Sequence, residues 1–182
     1  HAAKAVQNHD YRAVAESARN IADEGGNGDP EGVHLQLLED CFNIHGAIVF
    51  SYPEVTIPGA EDSVLLTDAV RDFRKMQNKI FRSSYAKMSG CLLAHEAAAD
   101  QMLINIRKYI FEPYRGRYSE SQYKELMRYF DAHRDDTKPG GNVEEQHKEK
   151  ALEVATGLIL KDPKAAKLIH KGGITFLDAQ SA

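Results

Sequence analysis

Apolar side chains recur at three- and four-residue intervals along most of this 182-residue chain, the spacing that gathers them on one face of an α-helix. Tyr11, Val14, Ala15, Ala18 and Ile21 make the first stripe, with Asp10 placed to cap it and Gly25-Gly26 to end it. Asp29-Pro30 reads as a cap and first-turn proline for a second helix. Its face carries Val33, Leu37, Leu38, Cys41, Phe42, His45 and Ile48. Two prolines and a glycine make residues 51–61 a loop. The run 47–52 (Ala-Ile-Val-Phe-Ser-Tyr) fits either the end of that helix or a short strand.

A third helix is predicted over 63–88, with Leu66, Ala69, Val70, Phe73, Met76, Ile80 and Phe81 on its apolar stripe. Ser89 is placed to cap a fourth over 90–112. After a turn at 113–117, Ser119-Glu-Ser-Gln122 has the capping-box spacing, and Tyr123, Leu126, Met127 and Phe130 follow on one face. Residues 134–142 are polar and glycine-rich, a flexible loop. A sixth helix spans 143–160. Asp162-Pro163 opens a seventh, which Gly172-Gly173 would end, leaving 174–177 as a docked apolar tail. The expectation is an all-α, single-domain bundle of six or seven amphipathic helices over 1–182, with a possible short strand near 47–52.

Composition changes little in this picture. Hydrophobic content of 42% with 27% charged residues is ordinary for a globular chain, and no apolar run is long enough to span a membrane. Two cysteines are too few for a disulfide framework, which points to the cytoplasm or another reducing compartment. The sequence does not begin with Met, so any upstream targeting segment is outside view.

Charge changes more. Residues 1–70 carry a net −9, residues 71–128 a net +6, and residues 129–182 a net −1, together the formal −4. The basic middle also holds Phe73, Phe81, Tyr85, Tyr109, Phe111, Tyr114, Tyr118 and Tyr123. A positive, ring-rich segment calls for a negative partner. Arg71, Lys75, Arg82, Arg107, Lys108, Arg115 and Arg117 are the candidate phosphate contacts, and Tyr114 and Tyr118 the stacking platforms. The expected partner is a nucleic acid or an acidic protein surface. The acidic 1–70 of a second copy would serve as well and would give a homo-oligomer. The bland alternative is that these cations pair within the protein or complement helix dipoles.

Two further patterns carry chemistry. Cys41-Phe-Asn-Ile-His45 and Cys91-Leu-Leu-Ala-His95 each place a thiol and an imidazole four residues apart, on one helical face. Two such faces could supply a tetrahedral Cys₂His₂ zinc site, although buried cysteine is common without metal. Glu31-Gly-Val-His34 and Glu144-Glu-Gln-His147 both match Glu-x-x-His, which recurs in helical di-iron proteins. Their first-turn positions are also where a helix dipole favours glutamate. No phosphate-binding glycine loop, nucleophile elbow or zincin motif occurs; Ala99 stands where the second zincin histidine belongs. The leading expectation is therefore a non-enzymatic binding or assembly protein acting through residues 71–128, with no cofactor apart from zinc at the Cys/His quartet. A regulatory or effector module with an apolar groove near Phe50, Tyr52, Val55 and Ile57 is the alternative, and a metal-binding helical protein the second. An enzyme is left open only as a site assembled from scattered residues.

Overall fold

The computed structural model describes residues 1–53, 67–133 and 143–181. Every regular element among them is helical: α1 (Ala2–Gln7), α2 (Tyr11–Glu24), α3 (His34–His45), α4 (Asp68–Phe81), α5 (Tyr85–Ile106), α6 (Glu120–His133), α7 (Val143–Lys161) and α8 (Ala165–Gln180). Short 3-10 turns occupy Gly26–Gly28, Pro30–Gly32 and Glu112–Arg117. The all-α expectation holds, with eight α-helices among the described residues where six or seven were expected. The additional one is α1, set off from α2 by His9 in the left-handed region (φ 54°). The predicted loop at 134–142 and most of the one at 51–61 lie outside the described residues.

The strand considered near 47–52 is not formed. Gly46–Phe50 is a π-helical turn, Ser51 follows in the left-handed region (φ 56°), and Tyr52 N–H donates to Gly46 C=O at 3.1 Å. Ile48 and Val49 suggested a strand by their β-branching, but here they pack beside the cluster of Phe111, Leu126 and Phe130. Burial of the helical face overrides local preference.

Helix limits follow local chemistry where a cap decides them. Ala13 N–H donates to Asp10 Oδ1 at 3.1 Å, and α2 stops before Gly25-Gly26. The Ser119–Gln122 box closes in both directions: Ser119 N–H donates to Gln122 Oε1 at 2.9 Å and Gln122 N–H to Ser119 Oγ at 3.2 Å. Asp29 caps only the 3-10 turn that starts at Pro30, so α3 begins later, at His34. Ser89 is not a cap either. It lies inside α5, donating from Oγ to Tyr85 C=O at 2.9 Å, and Ser84 Oγ accepts from Lys87 N–H at the start of that helix.

The chain forms two compact units. The first comprises His1–Arg19, Pro58–Ala98 and Glu145–Ala182. Its apolar clusters join Ala5, Ala13, Tyr85, Met88 and Val154, then Ile80, Cys91 and Phe176, then Ala155, Ala165 and Ile169. Tyr85 Oη donates to Asp10 Oδ2 at 3.1 Å, and Lys4 Nζ donates to Ser83 C=O. Here α5 and α8 meet backbone to backbone. A Cβ on Gly90 would stand 1.9 Å from Ile169 O, and one on Gly172 1.9 Å from Lys87 O. That contact explains why α8 runs through Gly172-Gly173 and does not stop there: the glycines are packing residues, and Phe176 beyond them is fully buried.

The second unit comprises Asn20–Ile57 and Ala99–Glu144. Its core is Cys41, Leu103, Phe111, Tyr118, Leu126, Met127 and Phe130. Helices α3 and α6 lie antiparallel, since the first residue of α3, His34, meets the last of α6, His133.

The glycine contacts separate two substitutions of the same kind. Gly90→Ala and Gly172→Ala should each destabilise by about 1–3 kcal/mol through forced displacement of packed backbone. Gly157→Ala on α7, where a Cβ meets nothing within 4 Å, should stabilise by about 0.5–1 kcal/mol from helix propensity alone. Urea unfolding midpoints give all three; wild-type midpoints for the first two would remove the α5–α8 crossing.

Candidate metal centre

In the second unit, the paired ends of α3 and α6 bring two imidazoles into contact. His34 is the first residue of α3 because the 3-10 turn at Pro30–Gly32 delays the helix, and His133 closes α6. Their ring centroids lie 4.3 Å apart and both side chains are buried. Glu24, the last residue of α2, reaches the same place: its Oε2 is 3.2 Å from His34 Nδ1. One donor atom from each of Glu24, His34 and His133 falls within 4.8 Å of the others.

Local hydrogen bonding prepares this group for a cation. His133 Nδ1 lies 2.7 Å from Tyr129 C=O. A carbonyl only accepts, so Nδ1 carries the proton and Nε2 is the basic nitrogen. This is the arrangement by which a second partner orients a metal-ligating imidazole. His34 Nδ1 is buried, with the Glu24 carboxylate at 3.2 Å as its partner. Glu24 keeps a side-chain exposure of 58%, so the group is closed on the imidazole side and open on the carboxylate side.

The first unit holds another carboxylate–imidazole pair. Glu96 on α5 and His147 on α7 are both buried, with Glu96 Oε2 3.8 Å from His147 Nδ1. The two Glu-x-x-His histidines, His34 and His147, thus each stand beside a carboxylate. In neither case is it shown to be the motif's own: the partners are Glu24 and Glu96.

The Cys-x-x-x-His pairs are taken up otherwise, each within its own unit. Cys41 is fully buried in the second unit's core, and burial pushes its thiol up to about 12. His45 Nδ1 is 2.7 Å from Tyr118 Oη, inside a ring of Phe50, Phe111 and Tyr114. Cys91 packs with Ile80 and Phe176 in the first unit; burial pushes it up to about 11 against the opposing pull of Lys87. His95 sets its ring edge-on to Phe176 at 5.4 Å.

The nine candidate anion contacts are divided between the units. In the first, Lys75 pairs with Asp72 at 3.0 Å, Arg71 lies 3.8 Å from Asp68, and Arg82 follows the last residue of α4. In the second, Arg107 pairs with Glu112 at 3.0 Å and Arg115 with Glu120 at 2.6 Å. Arg115 also lies over the Tyr123 ring, Lys108 over Tyr109, and Arg117 Nη1 donates to Val49 C=O at 3.1 Å. Tyr118 is buried and Tyr114 half-buried against the core. Apart from Arg82, for which no partner is described, these cations are engaged by carboxylates, rings and a carbonyl nearby in the chain or the same unit. Of the apolar patch considered around 50–57, Phe50 and Tyr52 are exposed and stacked at 5.6 Å, while Val55 and Ile57 lie outside the described residues.

Two imidazoles and a carboxylate are donors that suit iron among other cations. Residues 1–181 match the family described as iron-containing redox enzyme, and the chain belongs to that family. No curated protein matches the chain, and no solved structure does. Membership overturns the non-enzymatic reading. Neither a nucleic-acid or acidic-surface binder nor an interaction module is what this family is, and the absence of a cofactor other than zinc gives way to iron. No described helix is long and apolar enough to cross a membrane.

Sequence reasoning had reached His34 and His147 through their motifs and missed Glu24, His133 and the Glu96 partnership. Glu24 and His133 end their helices, where a terminal histidine is already explained by the dipole, and no local spacing links them.

Raised thiol pKa values have a direct consequence, since the thiolate is the nucleophile. At pH 8 Cys41 and Cys91 should resist iodoacetamide in the folded chain and both react once it is unfolded in denaturant. Mass spectrometry counts the adducts; rapid modification of either in the native state would contradict its burial.

Proposed function

We propose that this chain is an iron-dependent oxidoreductase whose metal is held by His34, His133 and Glu24. The observation that carries this is the convergence of two buried imidazoles and one carboxylate, with the carboxylate 3.2 Å from His34 Nδ1. Two histidines and a carboxylate are the donor set suited to non-haem Fe(II) with coordination positions left open. The donors present therefore fit the group that the family implies. When bound, iron would supply electron transfer and the activation of a small oxidant.

The chain's own residues do the rest. Tyr129 C=O holds the proton on His133 Nδ1 and so keeps Nε2 as donor. The contact of the two rings fixes their mutual placement, and their burial keeps water from the imidazole side. Glu24 supplies the negative charge that lowers the cost of bringing a divalent cation to this edge, and its exposed side is the approach for a reactant. The cleft of about 410 Å³ lined by Asp40, Asn43, Ile44, Ala47, Ile48, Gln122 and Glu125 is not this site: Ile44 lies ten residues on from His34, about 15 Å along α3.

A second reading is favoured by one observation, the burial of both Glu96 and His147. An acid and an imidazole so placed could hold iron with further donors.

Anaerobic Fe(II) titration followed by metal analysis and the EPR of the nitrosyl adduct tests both. His34→Ala and His133→Ala should each weaken iron binding by well over about tenfold, and Glu24→Gln by about tenfold or more, since even supporting partners of a metal ligand are worth that much. Wild-type iron content in the His34→Ala/His133→Ala double variant would overturn the first reading. Its loss in Glu96→Gln/His147→Gln instead would establish the second.

A further inference from the structure

We propose that Tyr118 and His45 form a proton-coupled redox pair, in which the phenol gives up an electron while its proton passes to the imidazole. Tyr118 Oη and His45 Nδ1 are 2.7 Å apart and both side chains are buried. Tyr118 sits between the 3-10 turn Glu112–Arg117 and the Ser119 cap of α6, and His45 ends α3. Both positions are anchored by helix ends.

The surroundings suit a radical. His45 meets Phe111 at 5.0 Å, Phe50 at 5.4 Å and Tyr114 at 5.5 Å. Burial lowers the imidazole's basicity, which keeps it neutral and able to accept at Nδ1, and pushes the phenol up to about 12, which keeps its proton in place until an electron leaves. A phenol stripped of an electron alone becomes a strong acid, so a base at hydrogen-bond distance makes the combined step the easier one. Tyr118 Oη–H then breaks, His45 Nδ1–H forms, and a neutral phenoxyl faces an imidazolium. Recovery takes one electron and returns the proton.

The electron's destination rests on the reading of the metal centre in the same unit. Ring contacts run from His45 to Phe111, then to Phe130 at 5.5 Å, to Tyr129 at 5.5 Å, and to His133 at 4.5 Å. The oxidant is, by class, iron oxidised by dioxygen or peroxide, and it is reduced by one electron as Tyr118 is oxidised. The pair would draw a stray oxidising equivalent away from the buried imidazoles when no substrate is there to use it.

The test needs no iron, so its outcome is independent of whether the metal assignment stands. Metal-free full-length chain is oxidised with a photogenerated ruthenium(III) polypyridyl, frozen at intervals and read by EPR. A neutral tyrosyl signal should outlive those of exposed Tyr11, Tyr52 and Tyr109. It should vanish in Tyr118→Phe, and a fluorotyrosine placed at 118, which perturbs packing least, should change its hyperfine pattern. His45→Gln, whose amide oxygen can still accept a hydrogen bond but cannot take up the proton, should slow its formation by about tenfold, and transfer into D₂O should slow the wild-type step alone. A long-lived signal with an unchanged hyperfine pattern in the fluorotyrosine protein, or formation as fast in His45→Gln as in wild type, would overturn the pair.

Discussion

The burial of two imidazoles against each other, with a carboxylate at their rim, is the constraint around which the second unit is arranged. His34 Nδ1 is enclosed by the antiparallel ends of α3 and α6, with the His133 ring against it and Glu24 at the rim. Apolar packing does not explain that choice. A leucine at either position would fill the space without the penalty of a buried polar group. Tyr129 contributes on both counts, orienting His133 through its carbonyl and covering it with its ring. The antiparallel pairing of α3 and α6 is therefore both packing and preorganisation. The same side-chain contacts that bury Cys41, Leu126 and Phe130 hold the two imidazoles at one end.

The first unit solves a different problem. Its helices come so close at Gly90 and Gly172 that no side chain fits between their backbones. Such proximity lets Phe176 and Cys91 share one small cluster with Ile80, and it places Ser89 and Met88 in full burial beside the crossing. Glu96 lies on α5 beyond this contact, and its burial against His147 is tolerable because acid and imidazole face each other.

Local chemistry was legible in the sequence and tertiary chemistry was not. The Asp10 cap, the Gly25-Gly26 stop and the Ser119–Gln122 box were all readable because each is complete within four residues. Gly172-Gly173 misled for the opposite reason. A glycine pair that reads as a helix end is, in α8, the means of approaching α5. The stretch 46–50 misled because β-branched residues serve a half-buried helical turn as readily as a strand. The candidate metal group was not among the metal residues expected from the sequence, which were Cys41, His45, Cys91 and His95. Glu-x-x-His marked His34 and His147, yet Glu24 and His133 are separated by over a hundred positions and follow no period.

Part of the charge pattern that dominated the sequence is neutralised close by in the chain. Cations of the middle segment meet carboxylates, rings and carbonyls close to them in the chain or in the same unit: Arg107 with Glu112, Arg115 with Glu120 and Tyr123, Arg117 with Val49. Exposed pairs of this kind contribute little stability, but they occupy the guanidiniums. Some of the aromatic rings interleaved with them point inward, while Phe81 and Tyr109 stay exposed: Phe111 and Tyr118 are core residues, and Tyr123 donates to Glu112 at 2.7 Å. A segment rich in both arginine and tyrosine thus divides into an outer, locally neutralised layer and an inner layer of packed rings. In this chain that inner layer leads from Tyr118 and His45 through Phe111, Phe130 and Tyr129 to His133. The composition that suggested stacking on bases is better understood as the aromatic lining of a redox protein's interior.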